Sequence, residues 1–378
     1  MKQQTNSRRD FLKVVGAGAV LTAAARAPVR GEENPTTIDP EFFVRPEELI
    51  LKLRHRGTDR RLSFAGYRGS PEAWRRECRA KLAELLGFSP PAPGKARLLR
   101  KTMCGNVAIE AWVMRIDDSL AIPAYFLAPR SGLKKGVMAI HGHGQAEPCI
   151  GAHDDYHHAF ALHLARAGHA VLCPALRGFG VLGDMACSEE NRCLDYWHSE
   201  RGRQFTLVTD AFLHGKTLIG QTVEDLLRWE RWLAEAKGLE SLDVAGISYG
   251  GDLALTYPVF SDRVHRIYAS GSLGSFSSIF SECYNAPAHC IPGALTWMDR
   301  SDIAGLNAPR PIRLHYGQGD VVAPWNNSAS YNNTVEPSLA ELRAIYKAFG
   351  ADAQISLRVT PDAMHEMENG DLEQFLRA

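Results

Sequence analysis

The 378-residue chain contains no Cys-x-x-Cys pair, and none of its eight cysteines clusters with histidine at zinc-binding spacing. A thiolate-held metal is therefore not expected. Charge of one sign is also missing: 43 Lys and Arg balance 43 Asp and Glu. No net field remains to draw in nucleic acid or an anionic membrane surface. There is no internal repeat and no low-complexity tract, and no segment reaches the roughly 20 apolar residues that span a bilayer, so no stable membrane anchor is expected. What is present is 45% hydrophobic residues, enough for a large globular core, which leaves a small or neutral molecule as the expected partner. Cys187 with Cys193, and Cys283 with Cys290, are near enough in sequence to form disulfides in an oxidising compartment. Spacing alone does not decide the pairing.

The amino terminus carries Ser7-Arg8-Arg9-Asp10-Phe11-Leu12-Lys13 ahead of a weakly apolar, Gly/Ala-rich stretch (14–25) that ends in Ala23-Ala24-Ala25. The alternative is a short basic helix opening a cytosolic protein. The arrangement resembles a twin-arginine signal peptide, which implies removal of residues 1–27, passage through the twin-arginine export machinery and a periplasmic or secreted product.

Residues 28–130 read as a linker followed by an amino-terminal extension packed on the core. Ser70 can cap a helix that opens with Pro71, carries Trp74, Cys78, Leu82 and Leu85 at helical spacing, and stops at Gly87. Segments 107–112 and 122–127 read as two strands around Asp117-Asp118.

From 131 to 378, short β-rich runs (136–141, 170–173, 242–245, 264–269, 312–316, 355–359) alternate with helical patterns (156–167, 222–236, 252–257, 339–349). Apolar strands separated by helices predict an α/β domain with a mostly parallel central sheet covered on both faces. The polar stretch 178–215 breaks the alternation and reads as an insertion over the carboxyl edge of the sheet.

The strongest chemical signal is Gly246-Ile247-Ser248-Tyr249-Gly250-Gly251, placed between a strand and a helix. Glycines flank the serine because the turn is too sharp for side chains there, and the hydroxyl is left at the amino end of a helix, where negative charge is favoured. Serine needs a base, and the base an orienting acid. Asp320 and His365 lie just beyond the strands at 312–316 and 355–359, in the chain order Ser, Asp, His. Asp362 and Glu366 are rival acids, but both sit awkwardly close to His365 in sequence. Ile140-His141-Gly142-His143-Gly144-Gln145 follows a strand and suits an oxyanion hole built from the amides of His143 or Gly144 together with that of Tyr249. A two-histidine metal site at His141 and His143 lacks a third ligand. In His153-Asp154-Asp155-Tyr156-His157-His158 the acids suit a helix start and the histidines are expected to face solvent.

Together His141 to Gly144, Arg177-Gly178-Phe179-Gly180, Gly246 to Gly251, Asp320, His365-Glu366 and the passage through Ala308-Pro309-Arg310-Pro311 resemble the acetyl xylan esterase-like and dienelactone hydrolase-like branch of the α/β hydrolases. The resemblance runs from about residue 47 to the end. It implies the α/β-hydrolase fold and hydrolysis of carboxylic esters through an acyl-enzyme, without a cofactor, often on acetylated carbohydrate. The chain departs from those relatives at Phe179 and Tyr249, where the best-defined acetyl xylan esterases carry Gln, and at Ser248, where dienelactone hydrolases carry Cys. Arg177 is a candidate for substrate binding or for anchoring its loop. Trp197, Trp297 and Trp325 are candidate pocket-lining residues, with Trp325 nearest the acid. Gly-x-Ser-Tyr-Gly-Gly also resembles prolyl oligopeptidase relatives, but the residues ahead of the hydrolase domain are too few for their large extra domain. The other rival, a noncatalytic binding module, would not require all three groups of a triad.

Overall fold

Strand pairing among the described residues builds a nine-stranded sheet that includes the segment expected to be an extension. The computed structural model describes Leu49 and residues 59–129, 135–183, 200–278, 287–322 and 335–377. The signal and linker segments (1–40) and Cys187, Cys193, Trp197, Cys283 and Trp325 lie outside the described residues.

Helix α1 (Pro71–Leu86) forms as its sequence predicts. Ser70 Oγ accepts from Ala73 N, Pro71 occupies the first turn and Gly87 ends the helix at φ 62°. Trp74, Cys78, Leu82 and Leu86 are buried, so Leu86 takes the inward place expected of Leu85. Three antiparallel strands follow, β1 (Lys95–Cys104), β2 (Val107–Arg115) and β3 (Ala121–Pro129). β3 pairs antiparallel with β5 (Ala170–Pro174). From there β4 (Gly136–Ile140), β6 (Leu242–Ile247), β7 (Val264–Ser270), β8 (Ile312–Gly317) and β9 (Ile355–Thr360) continue the sheet in parallel, in the order β1-β2-β3-β5-β4-β6-β7-β8-β9.

Neighbouring residues of one strand feed different cores. Met138, Ile140, Leu172, Val244 and Leu314 belong to the larger core, which also takes in side chains of α1, whereas Val137, Ala139, Val171, Cys173, Ala245 and Ile247 belong to the smaller. This is why these strands read as continuous apolar runs. Helix α2 (Phe160–Arg166) packs into the smaller core. The described part of the 178–215 segment contains helix α3 (Glu200–Leu213). Helices α4 (Leu218–Lys237), α5 (Tyr249–Thr256) and α6 (Arg300–Gly305) contribute to the larger core. A short helix α7 (Gln318–Val322) leaves β8, α8 (Val335–Ala348) packs on the larger core and α9 (Asn369–Arg377) on the smaller. A mostly parallel sheet with helices on both faces is the α/β-hydrolase fold implied by the resemblance. No helix of the described residues is long and apolar enough to cross a membrane.

Candidate active site

The candidate residues gather at the carboxyl ends of the parallel strands, where open α/β sheets present ligand sites. Ser248 stands between β6 and α5 with φ 59° and ψ −123°, a conformation that a residue with a side chain holds only when its surroundings force it. The force is close backbone approach. A Cβ on Gly246 would lie 2.1 Å from the carbonyl oxygen of Gly250, and one on Gly250 would lie 2.1 Å from that of Ile140. Ser248 N donates to Ser270 O at 2.9 Å, which fixes the turn against the end of β7. Tyr249 is the first residue of α5, so its amide has no acceptor within the helix.

Asp320 and His365 come together. His365 Nδ1 is 2.8 Å from Asp320 Oδ2, and Asp320 is buried. Gly319 N donates to Ala363 O at 2.8 Å, tying α7 at the end of β8 to the loop after β9. The rival Glu366 is engaged elsewhere: it sits 2.8 Å from His158 Nε2 and accepts from Met364 N at 3.2 Å. Gly271 links this pair to Ser248. It follows Ser270, the acceptor for Ser248 N, and a Cβ on it would fall 2.5 Å from His365 Cε1 and 3.1 Å from Asp320 Oδ2.

The His141–Gly144 loop leaves β4 beside Ser248; a Cβ on Gly142 would lie 2.9 Å from Ser248 Cβ. His141 is fully buried, and both its ring nitrogens serve the backbone: Nε2 accepts from Leu176 N at 3.2 Å, and Nδ1 faces Gly142 O at 2.7 Å. The Nδ1–H tautomer follows, and burial pushes the imidazole pKa down to about 3. Gly142 N is spent on His157 Nε2 at 2.8 Å. His143, Phe179, Tyr249 and His289 form a ring cluster beside this loop. Phe179 stacks on Tyr249 at 5.0 Å and His143 on His289 at 5.5 Å, while His289 meets Tyr249 edge-on at 4.8 Å.

Behind the cluster lies a buried polar group that sequence reasoning missed. Asp252, in the first turn of α5, takes hydrogen bonds from Ser272, Arg300 and His289. Burial raises the Asp252 carboxyl and pushes Arg300 down to about 9. Ser272, His289 and Arg300 lie 20, 37 and 48 positions from Asp252, and no local pattern marks them.

Three other residues singled out in the sequence take definite positions. His157 is fully buried, not solvent-facing, because the Asp155 carboxylate turns its ring inward (Nδ1 to Oδ1 2.8 Å). Arg177 makes a two-pronged ion pair with Asp225 of α4, Nε to Oδ2 at 2.5 Å and Nη2 to Oδ1 at 2.9 Å. The pair ties the loop after β5 to α4. Trp297 packs against the cations Arg61, at 4.9 Å, and Lys81, at 4.1 Å. Among the described residues no three His, Cys, Asp or Glu side chains are grouped to hold a metal ion.

No protein-family model and no curated protein matches the sequence. Solved structures do. A proposed acetyl xylan esterase from Bacteroides fragilis NCTC 9343 superposes with a TM-score of 0.63 at 15% identity, covering 85% of this chain and 84% of its own. The methylesterase BT1017 gives 0.57 at 15%, covering 87% and 67%. A glucuronoyl esterase from Solibacter usitatus gives 0.55 at 11%, covering 80% and 90%. At such identities the likeness is one of fold.

Proposed function

We propose that the chain is a serine hydrolase of carboxylic esters working through an acyl-enzyme. The observation that carries this reading is a serine at a strained strand-to-helix turn, on the same sheet edge as an imidazole held at 2.8 Å by a buried aspartate. Asp320 fixes the His365 proton on Nδ1, which leaves Nε2 as base. His365 takes the proton of Ser248 Oγ as that oxygen attacks the ester carbonyl. The resulting oxyanion is held by the amide of Tyr249 and by one from His143 or Gly144. The intermediate collapses, His365 protonates the departing alcohol, and the acyl group stays on Ser248. Water, deprotonated by the same imidazole, then releases the acid. No cofactor enters these steps.

Acetyl esters of carbohydrate are the proposed substrates, supported by the motif resemblance and by the fold shared with carbohydrate-ester enzymes. Residues 1–27 are proposed as a twin-arginine signal that delivers the enzyme to the periplasm or beyond. Rates on an aryl acetate, longer acyl esters, acetylated xylan and a prolyl peptide test the reading. Fastest turnover of acetate esters with no peptide cleavage is expected, and preferential cleavage of the prolyl peptide would contradict it.

A further inference from the structure

The segment before α2 touches both the oxyanion loop and the segment that carries His365, although nothing in the proposed chemistry requires it. Tyr156 OH donates to His143 O at 2.6 Å, on the oxyanion loop. The Tyr156 ring stacks on that of His365, with centroids 5.5 Å apart and planes 28° apart. Its carbonyl accepts from Met367 N at 2.9 Å, two residues past the imidazole. Next to it, His157 Nε2 accepts the Gly142 amide at 2.8 Å, while Nδ1 lies 2.8 and 3.0 Å from the two oxygens of Asp155. His158 reaches Glu366 from the other side. His158 and Ala159 both stand at φ 48°, consecutive left-handed residues with side chains, a backbone arrangement that persists only where surrounding contacts over-determine it.

We propose that Asp155-Tyr156-His157 is a positioning brace that holds the oxyanion loop and the His365 imidazole in register, and that His157 does so only as the neutral Nδ1–H tautomer. This rests on the esterase reading and adds to it.

The protonation requirement follows from the donors. Gly142 contributes an N–H, so Nε2 must offer a lone pair; a proton there would set two donors face to face and push the loop off. The charged or titratable groups facing His157 are Asp155, Tyr156, His141, His158 and His365. Burial outweighs the attraction of Asp155 and lowers the His157 pKa, favouring the neutral form. Gly142 cannot be replaced without breaking the brace, since a Cβ there would lie 2.3 Å from Tyr156 OH.

The test uses 4-nitrophenyl acetate and four variants, with folding followed by thermal melts. Tyr156→Phe and His157→Ala should lower kcat by about a hundredfold, the usual size of a misplacement effect, with KM changed far less. His157→Gln keeps an acceptor for Gly142 and should recover most of kcat. Because burial lowers His157, log kcat/KM in wild type should steepen further on the acid side as His157 takes up its proton, a break that is absent in His157→Gln and that a purely structural role would not produce. Wild-type kcat in Tyr156→Phe and His157→Ala, or an acid-side break that persists in His157→Gln, would overturn the brace while leaving the esterase reading intact. Ser248→Ala separates the two ideas: if it retains turnover, the esterase reading fails and the brace falls with it.

Discussion

His365 Nδ1 sits 2.8 Å from Oδ2 of an Asp320 that is 1% exposed. A carboxylate so placed fixes the imidazole tautomer and stabilises the imidazolium formed when the serine proton moves. Asp320→Asn keeps the shape and removes the charge, so kcat should fall by about 10⁴-fold while the melting temperature stays near that of wild type. Steady-state kinetics paired with calorimetry checks both halves.

Gly271 has φ 55°, and a Cβ there would strike the His365 ring at 2.5 and 2.7 Å. The obstructed group is a side chain that can swing away, so the damage should be catalytic more than structural. Gly271→Ala is expected to lose about a hundredfold in kcat, the scale of a misplaced catalytic group, with a modest fall in stability measured by urea unfolding.

Asp252 is wholly buried, pairs with the buried Arg300 guanidinium and is hydrogen-bonded to His289. Removing one member of a buried charge group leaves the others uncompensated, which typically costs about 3–5 kcal/mol. Asp252→Asn should therefore be strongly destabilised in denaturant titrations, whereas exposed Asp118 paired with Arg115 should tolerate the same change.

Acid should destabilise the fold through its buried imidazoles. Burial lowers His141 to about 3 and His315 to about 4, from an ordinary value of 6.5. Between those limits the unfolded chain binds more protons than the native one, so stability rises with pH there. Their contribution is complete above pH 6.5 and is lost as pH falls through 4 and then 3. Melting temperatures across this range should decline toward acid, and His315→Gln should decline less steeply.

The parallel strands and the chemical motifs were legible because their signals are local. β4 and β5 are fully buried apolar runs and β9 alternates Ile355, Leu357 and Val359 with polar residues, and the serine turn announces itself through glycines that backbone contact demands. β1 has no local signature: its side chains are nearly all exposed and its ten residues include four Lys and Arg, so it carries neither alternation nor an apolar run and is defined by pairing with β2. Helix α2 starts at Phe160 instead of 156 because the left-handed pair His158 and Ala159 precedes it. α4 begins four residues early because Thr217 caps it through Gly220 N. His157 looked solvent-exposed because its sequence neighbours are polar, and its burial depends on Gly142, fifteen residues away. Asp252, His289 and Arg300 were invisible for the same reason: long-range charge compensation leaves no periodic trace.

Labelling with a fluorophosphonate probe, followed by peptide mapping, tests the central claim most directly. One adduct on Ser248 in the wild-type protein, and none in a folded Ser248→Ala variant, is the predicted result. Equal labelling of both proteins, or an adduct mapped to another residue, would contradict it.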